Sequence, residues 1–426
     1  MLEKITQIFK IKELRNKIFF VLAMLGVFRL ASHIPIPAVD VEGLKNFFEG
    51  NQIFGLLNMF SGGGMDNFSL VALGVGPYIT ASIIMQLLTM IVPALERLQK
   101  EDGEAGRKKI NQITRLLTVP LAGLQSYALI ALLQRSGVQV LTDTSAWGVA
   151  TTIITVTAGT VFLMWIGEMI TEKGIGNGIS LIIFAGIVSA IPKAIQQTVL
   201  NFDSSKVIDI VVFSVVAVVV IAAIVFITEG QRNIPISYAR RVRGNKMYGG
   251  TSSHLPLRVN QAGVIPIIFA MSIMIAPGMV ANFLVNVNNP TVAKIAQTIA
   301  DLFQNELFYG VLYFALVVFF TYFYTSVTFD PKKIAENVQK NGGFIPGIRP
   351  GRPTAEYLHR TINRITLTGA TFLGLVAVLP FILKIFINMP SLIIGGTGIL
   401  IVVSVVIETV RQIEAQLVMR DYESFY

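Results

Sequence analysis

Ten apolar segments, each about long enough to cross a membrane, constrain the fold of this chain more than any other feature. A helix needs roughly 20 mainly apolar residues to span a bilayer. Ten windows meet that requirement: Ile18–Pro37, Leu73–Val92, Leu116–Leu133, Val149–Ile170, Ile179–Val199, Val207–Thr228, Ala262–Leu284, Leu307–Thr328, Thr366–Phe386 and Leu392–Val410. None shows the polar alternation of a barrel strand, and a lone strand would leave its backbone groups unpaired in hydrocarbon. We therefore predict an all-α membrane protein with ten transmembrane helices.

The composition supports this class. Hydrophobic residues make up 53% of the 426 and charged residues 14%, whereas soluble domains carry about 25% charged residues. The first span follows a basic stretch and lacks a small-residue cleavage site, so we predict a retained helix rather than a removed signal peptide. The chain has no cysteine, which excludes disulfides and thiol chemistry.

The basic residues predict the orientation in the membrane. If the N-terminus is cytoplasmic and the spans alternate, 27 of the 34 Lys and Arg residues fall on the cytoplasmic side and six on the other. Lys and Arg are enriched in cytoplasmic loops. We therefore predict a multi-pass protein with both termini in the cytoplasm, and the formal charge of +9 is concentrated on one face.

The span count also suggests an internal organisation. Ten spans with both ends inside divide into two sets of five with opposite topology, residues 1–200 and 201–426. This arithmetic is typical of an inverted repeat with a functional site between its halves, although the two halves share no convincing residue-level similarity. The second half contains two long basic loops, at about 229–261 and 329–365, which we predict to be ordered cytoplasmic surfaces.

The residues give no sign of an enzyme. The three histidines, His33, His254 and His359, lie in different segments, and HExxH, GxSxG and GxxxxGK[ST] motifs are absent. We expect no cofactor and no metal site.

Two kinds of transport remain open from the residues alone. A proton- or ion-coupled transporter usually carries ionisable groups at mid-membrane. The charges inside or bordering the spans include Arg29, Glu168 and Glu408, and these three lie toward span ends, where interfacial side chains or structural pairs are expected. The alternatives are a pore and a small-solute secondary transporter.

Six strings in a fixed order decide between these alternatives by resemblance. They are NMFSGG (58–63), PYITASIIMQLL (77–88), EKGIGNGIS (172–180), NQAGVIP (260–266), FIPGIRP (344–350) and GGTGILIVV (395–403). Together they resemble the bacterial SecY family, the central subunits of the protein translocation channel, over essentially the whole chain. The resemblance implies two pseudo-symmetric inverted halves around a central pore, in the inner membrane of a bacterial cell.

The resemblance also implies a constriction and a plug. The pore ring would consist of aliphatic side chains from spans two, five, seven and ten: Ile79, Ile83, Ile183, Ile268, Val280 and Ile401. Val280 departs from the more common isoleucine. The short apolar stretch near 53–66, too short to cross the membrane, resembles the plug half-helix of the family, with Phe54, Leu57, Met59, Phe60, Gly62, Gly63 and Gly64. Residues 61–64 would be its flexible outlet, because glycine accepts unusual backbone angles.

A lateral gate and a docking surface complete what the resemblance implies. The gate would lie between spans two and three on one side and seven and eight on the other, with polar residues Thr80, Gln86 and Asn260. We expect the Asn260 amide to be buried and paired when the gate is closed. The motor or ribosome would dock on Arg240, Arg241, Arg243 and Arg349.

The implied function is translocation of unfolded secretory polypeptides and lateral release of transmembrane segments. The implied partners are the SecE and SecG subunits, the SecA motor, the ribosome through its ribosomal RNA, signal peptides, nascent or unfolded polypeptides and membrane lipid.

Overall fold

The computed structural model describes residues 9–36, 61, 64–65, 68–100, 103–135, 145–200, 207–238, 241–243, 246–248, 252–284, 289–386 and 395–423. Within these ranges each of the ten predicted spans overlaps one long helix. The helices in chain order are α1 (Lys12–Ala31), α2 (Gly76–Ile91), α3 (Pro93–Lys100), α4 (Gly103–Arg135), α5 (Ala146–Lys173), α6 (Gly178–Leu200), α7 (Val207–Glu229), α8 (Ile265–Leu284), α9 (Pro290–Gln304), α10 (Glu306–Thr328), α11 (Pro331–Lys340), α12 (Arg352–Phe386) and α13 (Gly395–Glu423).

Length and hydropathy mark several of these helices as membrane spans. Five stretches meet both requirements on their own: Gly103–Ala131, Ala146–Lys173, Val207–Glu229, Glu306–Lys340 and Arg352–Leu383. A sixth candidate is the pair α2 and α3, which bends by 105° at its break. Pro93 begins α3, and the residue before a proline is disfavoured in the helical conformation, which accounts for the break at Val92. Shorter apolar stretches lie in α6 and α8.

The helices α3, α9 and α11 lie outside the predicted spans. α9 and α11 are amphipathic and begin with a proline, and asparagine or aspartate caps them. Proline suits the first turn of a helix because the backbone N–H that it lacks has no partner there. These helices therefore connect the long ones without needing to cross a membrane.

The two long loops of the second half form a small sheet that was not predicted from the sequence. The strands are β1 (Gln231–Tyr238), β2 (Arg241–Arg243), β3 (Lys246–Tyr248), β4 (Ser252–Arg258) and β5 (Gly343–Phe344). β1 lies between β4 and β5, antiparallel to both, and β2 pairs with β3. Since β5 comes from the second loop and β1 and β4 from the first, the sheet joins both loops into one ordered surface.

A small apolar core fixes that surface to α12. Ile234, Leu257, Ile345 and Leu358 are buried together, and Leu358 belongs to α12. Val259 continues from β4 and donates its backbone N–H to the Gly230 carbonyl at 2.9 Å. The sheet is therefore anchored at both ends to the helical part of the chain.

The main core lies between the two sets of five helices. It contains buried side chains of α1, α2, α5, α6, α7, α8, α10, α12 and α13. Helix α8 packs against α2 and α4 from the first set, and α13 packs against α6. The contacts between the two sets therefore run through α8 and α13, which is where the candidate site lies.

Candidate functional site

Five of the six predicted ring residues meet in the main core. Ile79 and Ile83 come from α2, Ile183 from α6, Ile268 from α8 and Ile401 from α13. Their exposed fractions lie between 1% and 6%. Four helices from both halves thus contribute branched aliphatic side chains to one buried cluster.

The sixth predicted residue, Val280, does not join this cluster. Its side chain is 56% exposed. Val280 follows Ile268 by twelve residues on the same helix, which places it about 18 Å further along the axis and about 120° around it. Helix geometry therefore prevents both residues from reaching one narrow ring.

A cavity of about 380 Å³ lies against this cluster; we call it the vestibule. Three of the predicted ring residues, Ile79, Ile183 and Ile268, form part of its lining. Its wall on the α8 and α10 side is apolar or aromatic and consists of Ile265, Ile268, Phe269 and Tyr324. A ligand in the vestibule would therefore contact these isoleucines directly.

The opposite wall of the vestibule is polar. It contains Gln86 of α2, Asn111 and Arg115 of α4, and Glu168 and Glu172 of α5. The Arg115 Nε atom donates to Glu168 Oε1 at 2.5 Å, and the Glu168 side chain is 18% exposed. This ion pair ties α4 to α5 near the cytoplasmic end that the charge distribution predicts. Glu168 thus belongs to a structural ion pair, which is one of the roles expected for charges near span ends.

The predicted gate residues lie on or next to the helices that face each other. The hydroxyl of Thr80 donates to the Gly76 carbonyl of its own helix at 3.1 Å. Gln86 lines the vestibule, and its buried Oε1 has no hydrogen-bond partner among the described residues. Asn260, 6% exposed, precedes α8, and neither atom of its amide has a partner there. The expected pairing of this amide is therefore absent from the described part of the chain.

The predicted docking residues lie in the two long loops of the second half. Arg241 and Arg243 belong to β2, and Arg240 is outside the described residues. The Arg349 side chain is exposed, in a turn between β5 and α12. Gly347 and Gly351 flank it with φ angles of +81° and +94°, which glycine adopts at little steric cost.

Most of the predicted plug lies outside the described residues. This holds for Phe54, Leu57, Met59, Phe60, Gly62 and Gly63. Gly64 is described and buried, and a Cβ atom there would come within 2.8 Å of Ser69 Oγ and 3.0 Å of the Ser61 carbonyl. Glycine at this position therefore allows neighbouring atoms to lie close to its Cα atom. The prediction had attributed the glycine to unusual backbone angles.

The EKGIGNGIS string forms the turn between α5 and α6. Gly176 has a φ of +90°, and Gly178 donates its N–H to Thr171 Oγ1 at 2.9 Å. Asn177 Oδ1 accepts from the N–H groups of Ile179 and Ser180 at the start of α6. Gly176 also donates to Gln412 Oε1 of α13 at 2.8 Å. The turn thus fixes the polar rim of the vestibule to the last helix.

Two features of the site were not predicted from the sequence. Ile187 is buried in the same core as the ring, one helical turn after Ile183, and that i, i+4 spacing could have indicated it. The Arg115–Glu168 pair was not predicted as a vestibule wall, although opposite charges border two consecutive spans. No periodicity in one helix reveals which other helix it will face.

The fold and the site define the class: a multi-pass helical membrane protein with an aliphatic cluster between its two halves and a mixed polar and apolar vestibule beside it. The sequence pattern of the SecY family matches residues 69–410. The protein translocase subunit SecY of Aquifex aeolicus is 44% identical over 438 residues, covering 100% of this chain and 99% of that protein. The chain belongs to the SecY family.

Solved structures agree with this assignment at the level of the fold. A structure described as a protein-conducting channel matches with a TM-score of 0.64 at 19% identity, covering 94% of this chain and 92% of the other. Sec61 in a canine ribosome-channel complex from the endoplasmic reticulum matches with a TM-score of 0.60 at 18% identity, covering 94% and 91%. The chain thus has the channel fold predicted from its sequence, and its membership of the SecY family makes it a protein-conducting channel subunit. No finding supports a small-solute transporter.

Proposed function

We propose that the five clustered isoleucines form the constriction through which unfolded secretory polypeptides cross the bacterial cytoplasmic membrane. The observation that carries this proposal is their convergence from α2, α6, α8 and α13 next to the vestibule. Branched aliphatic side chains cannot hydrogen-bond water or ions, so a narrow collar of them resists wetting. Such a collar can part around a passing chain without demanding particular side chains from it.

The lateral release of transmembrane segments would occur where α8 and α10 face α2 and α4. The contact of α8 with α2 and α4 supports this placement. Asn260 and Gln86 carry buried amide atoms without partners among the described residues, and such atoms cost free energy in an apolar surrounding. A gate that keeps them unsatisfied when closed is easier to open, because a polar substrate backbone or water then gains access to them.

The orientation and the partners follow from the charge distribution and the relatives. We place both termini and the β1–β4–β5 sheet in the cytoplasm, where 27 of 34 basic residues would lie. The chain would act without catalysis of its own and in complex with SecE and SecG. Its own segment at about 53–66 would serve as the plug. Energy would come from the SecA motor or a translating ribosome; a related channel was solved in a ribosome complex.

Cross-linking of an arrested substrate tests the constriction. The chain has no cysteine, so single substitutions Ile83→Cys, Ile401→Cys and Val280→Cys can be compared in the assembled channel. A secretory chain stalled in transit and carrying one cysteine in its middle should form disulfides with the first two variants and not with Val280→Cys. Equal cross-linking at all three positions, or none at Ile83 and Ile401, would contradict the proposal.

A polar ring residue should weaken the seal. In Ile401→Asn and Ile83→Asn a buried polar group replaces an apolar one, at a cost of about 1 kcal/mol to the closed state, which corresponds to about a fivefold increase in open channels. We expect about fivefold more export of a reporter with a defective signal sequence, together with an added ion leak in vesicles. Val280→Asn is the control, and ring variants that behave like it in both assays would show that the ring is assigned wrongly.

A further inference from the structure

The vestibule differs in charge from the surface around it. Among the described residues that line it, three carry a full charge at neutral pH: Arg115, Glu168 and Glu172. Arg115 and Glu168 neutralise each other through their ion pair. Glu172 therefore makes the vestibule net negative, on a side of the protein that is otherwise strongly basic.

Glu172 is the carboxylate that remains available in the vestibule. It lies one helical turn beyond Glu168 on α5, about 6 Å further along the helix axis and on the same face. Its side chain is exposed, and within the described ranges it has neither an ion pair nor a hydrogen bond. Since α5 ends at Lys173, Glu172 lies in the last turn of the helix, and its exposed side chain lines the cavity.

The backbone that carries Glu172 is held firmly. On one side of it Thr171 Oγ1 both donates to the Gly167 carbonyl at 2.8 Å and accepts from Gly178 N–H at 2.9 Å. Gly174 donates to the Ile170 carbonyl at 2.8 Å on the other side. Because the backbone is fixed, ordering the Glu172 side chain around a cation costs less entropy than it would on a flexible loop.

The rest of the vestibule fits an apolar segment next to a cation. Ile265, Ile268 and Phe269 face the polar wall, and Ile79 and Ile183 belong to the ring. A peptide in the vestibule would contact a carboxylate and an aliphatic surface next to it. Secretory signal sequences carry the matching pair, a positively charged n-region followed by about 7–15 apolar residues.

We propose that Glu172 is a specificity-determining residue that pairs with the Lys or Arg side chains of the signal-sequence n-region while the apolar region packs against α8. This inference deepens the proposed function and rests on it. The surrounding basic face repels a basic n-region, so a single open carboxylate at the cavity directs it to the vestibule. A substrate with the same apolar segment and no basic residue gains nothing from Glu172.

Charge reversal in the channel and in the substrate tests this pairing. Export of two reporters that differ only in the n-region, one with three lysines and one with three glutamines, is measured in the full channel complex with its motor. Glu172→Lys should reduce export of the lysine reporter about fivefold, as expected for the loss of one partly exposed ion pair, and leave the glutamine reporter unchanged. A reporter with aspartates in the n-region should be exported better by Glu172→Lys than by the unchanged channel. The control is Glu104→Lys, which reverses an exposed carboxylate of α4 outside the vestibule lining and should affect both reporters equally.

Two results would overturn the inference. If Glu172→Lys reduced export of the lysine and glutamine reporters equally, Glu172 would have a structural role. If Glu172→Lys exported both reporters as well as the unchanged channel does, Glu172 would have no role in export. Failure of the proposed function itself would look different, because the unchanged channel would then export neither reporter. A direct readout is available as well: Glu172→Cys should form a disulfide with a cysteine in the n-region of an arrested substrate, and Glu104→Cys should not.

Discussion

Replacing Gly178 with alanine is expected to prevent the folded channel from accumulating. Gly178 begins α6, and a Cβ atom there would overlap the carbonyl oxygen of Gly167 in α5. Both groups are fixed, since Gly178 is hydrogen-bonded to Thr171 and Gly167 lies inside a helix. Relief of the clash requires α5 and α6 to separate, and overpacking of this kind costs about 3 kcal/mol or more.

The same substitution elsewhere provides the control. Gly26 lies within α1, where a Cβ atom would meet nothing within 4 Å and φ is not positive, so Gly26→Ala should be neutral. Gly159→Ala should resemble Gly178→Ala, because its Cβ would overlap the Leu70 carbonyl oxygen. The measurements are the amount of full-length protein in membranes and the thermal midpoint of the purified complex in detergent. Equal amounts and equal midpoints for Gly178→Ala and Gly26→Ala would refute the steric argument.

These glycines explain why one string of the sequence is so distinctive. In EKGIGNGIS, Gly176 supplies a positive φ and Gly178 allows the backbones of α5 and α6 to touch. Asn177 caps the new helix between them. In the sequence analysis this string supported only the resemblance to the SecY family. The residues of the turn do not by themselves predict a contact between two helices.

The ten spans could be predicted because hydrophobic length is a strong and local signal. The ends of the helices were predicted less accurately. α4 begins at Gly103 and α12 at Arg352, both well before the apolar windows that start at Leu116 and Thr366. Both helices begin in charged segments, where hydropathy gives no boundary and lysine, arginine and glutamate are good helix formers.

The small sheet was missed although the sequence contains a signal for it. β1 buries Ile234 and Ile236 at a spacing of two, and Leu255 and Leu257 alternate in the same way in β4. Such alternation is typical of a strand with one buried face. Prolines interrupt both runs, at Pro235 and Pro256, and proline lowers a strand prediction. The third strand, β5, has two residues and no pattern of its own.

The candidate site was predictable only through family resemblance, which supplied all six predicted ring residues. Five of them enter the core, including Ile79 and Ile83, which are one helical turn apart. The exposure of Val280 separates it from the other five residues. The Arg115–Glu168 pair joins residues 53 positions apart in sequence, so its existence depends on how α4 and α5 pack, which the sequence does not state.

The Arg349 turn joins the second long loop to α12. The Arg349 carbonyl accepts from Thr354 Oγ1 at 2.9 Å, and Ile345 is buried with Leu358 of α12. The glycines on either side adopt positive φ angles, which fit the turn at little steric cost. The turn is therefore rigid, while the guanidinium itself is exposed. A charge on such a turn can be changed without disturbing the core.

Arg349→Glu is accordingly expected to abolish motor-driven export and leave assembly intact. An arginine fork binds carboxylate or phosphate through two parallel hydrogen bonds, and loss of one partner of a docked charge pair costs about 2 to 5 kcal/mol, a reduction in binding of about thirtyfold or more. ATP-driven import of a secretory precursor into inverted membrane vesicles measures the effect, and copurification of the other subunits measures assembly.

Arg349→Lys should be intermediate, because it keeps the charge and loses the fork. Lys340→Glu makes the same reversal at an exposed position of the same loop and should reduce import little, since a residue that serves only the inside-positive charge balance is interchangeable with its neighbours. If Arg349→Glu imports as well as Lys340→Glu does, the arginine sets orientation and does not dock a partner.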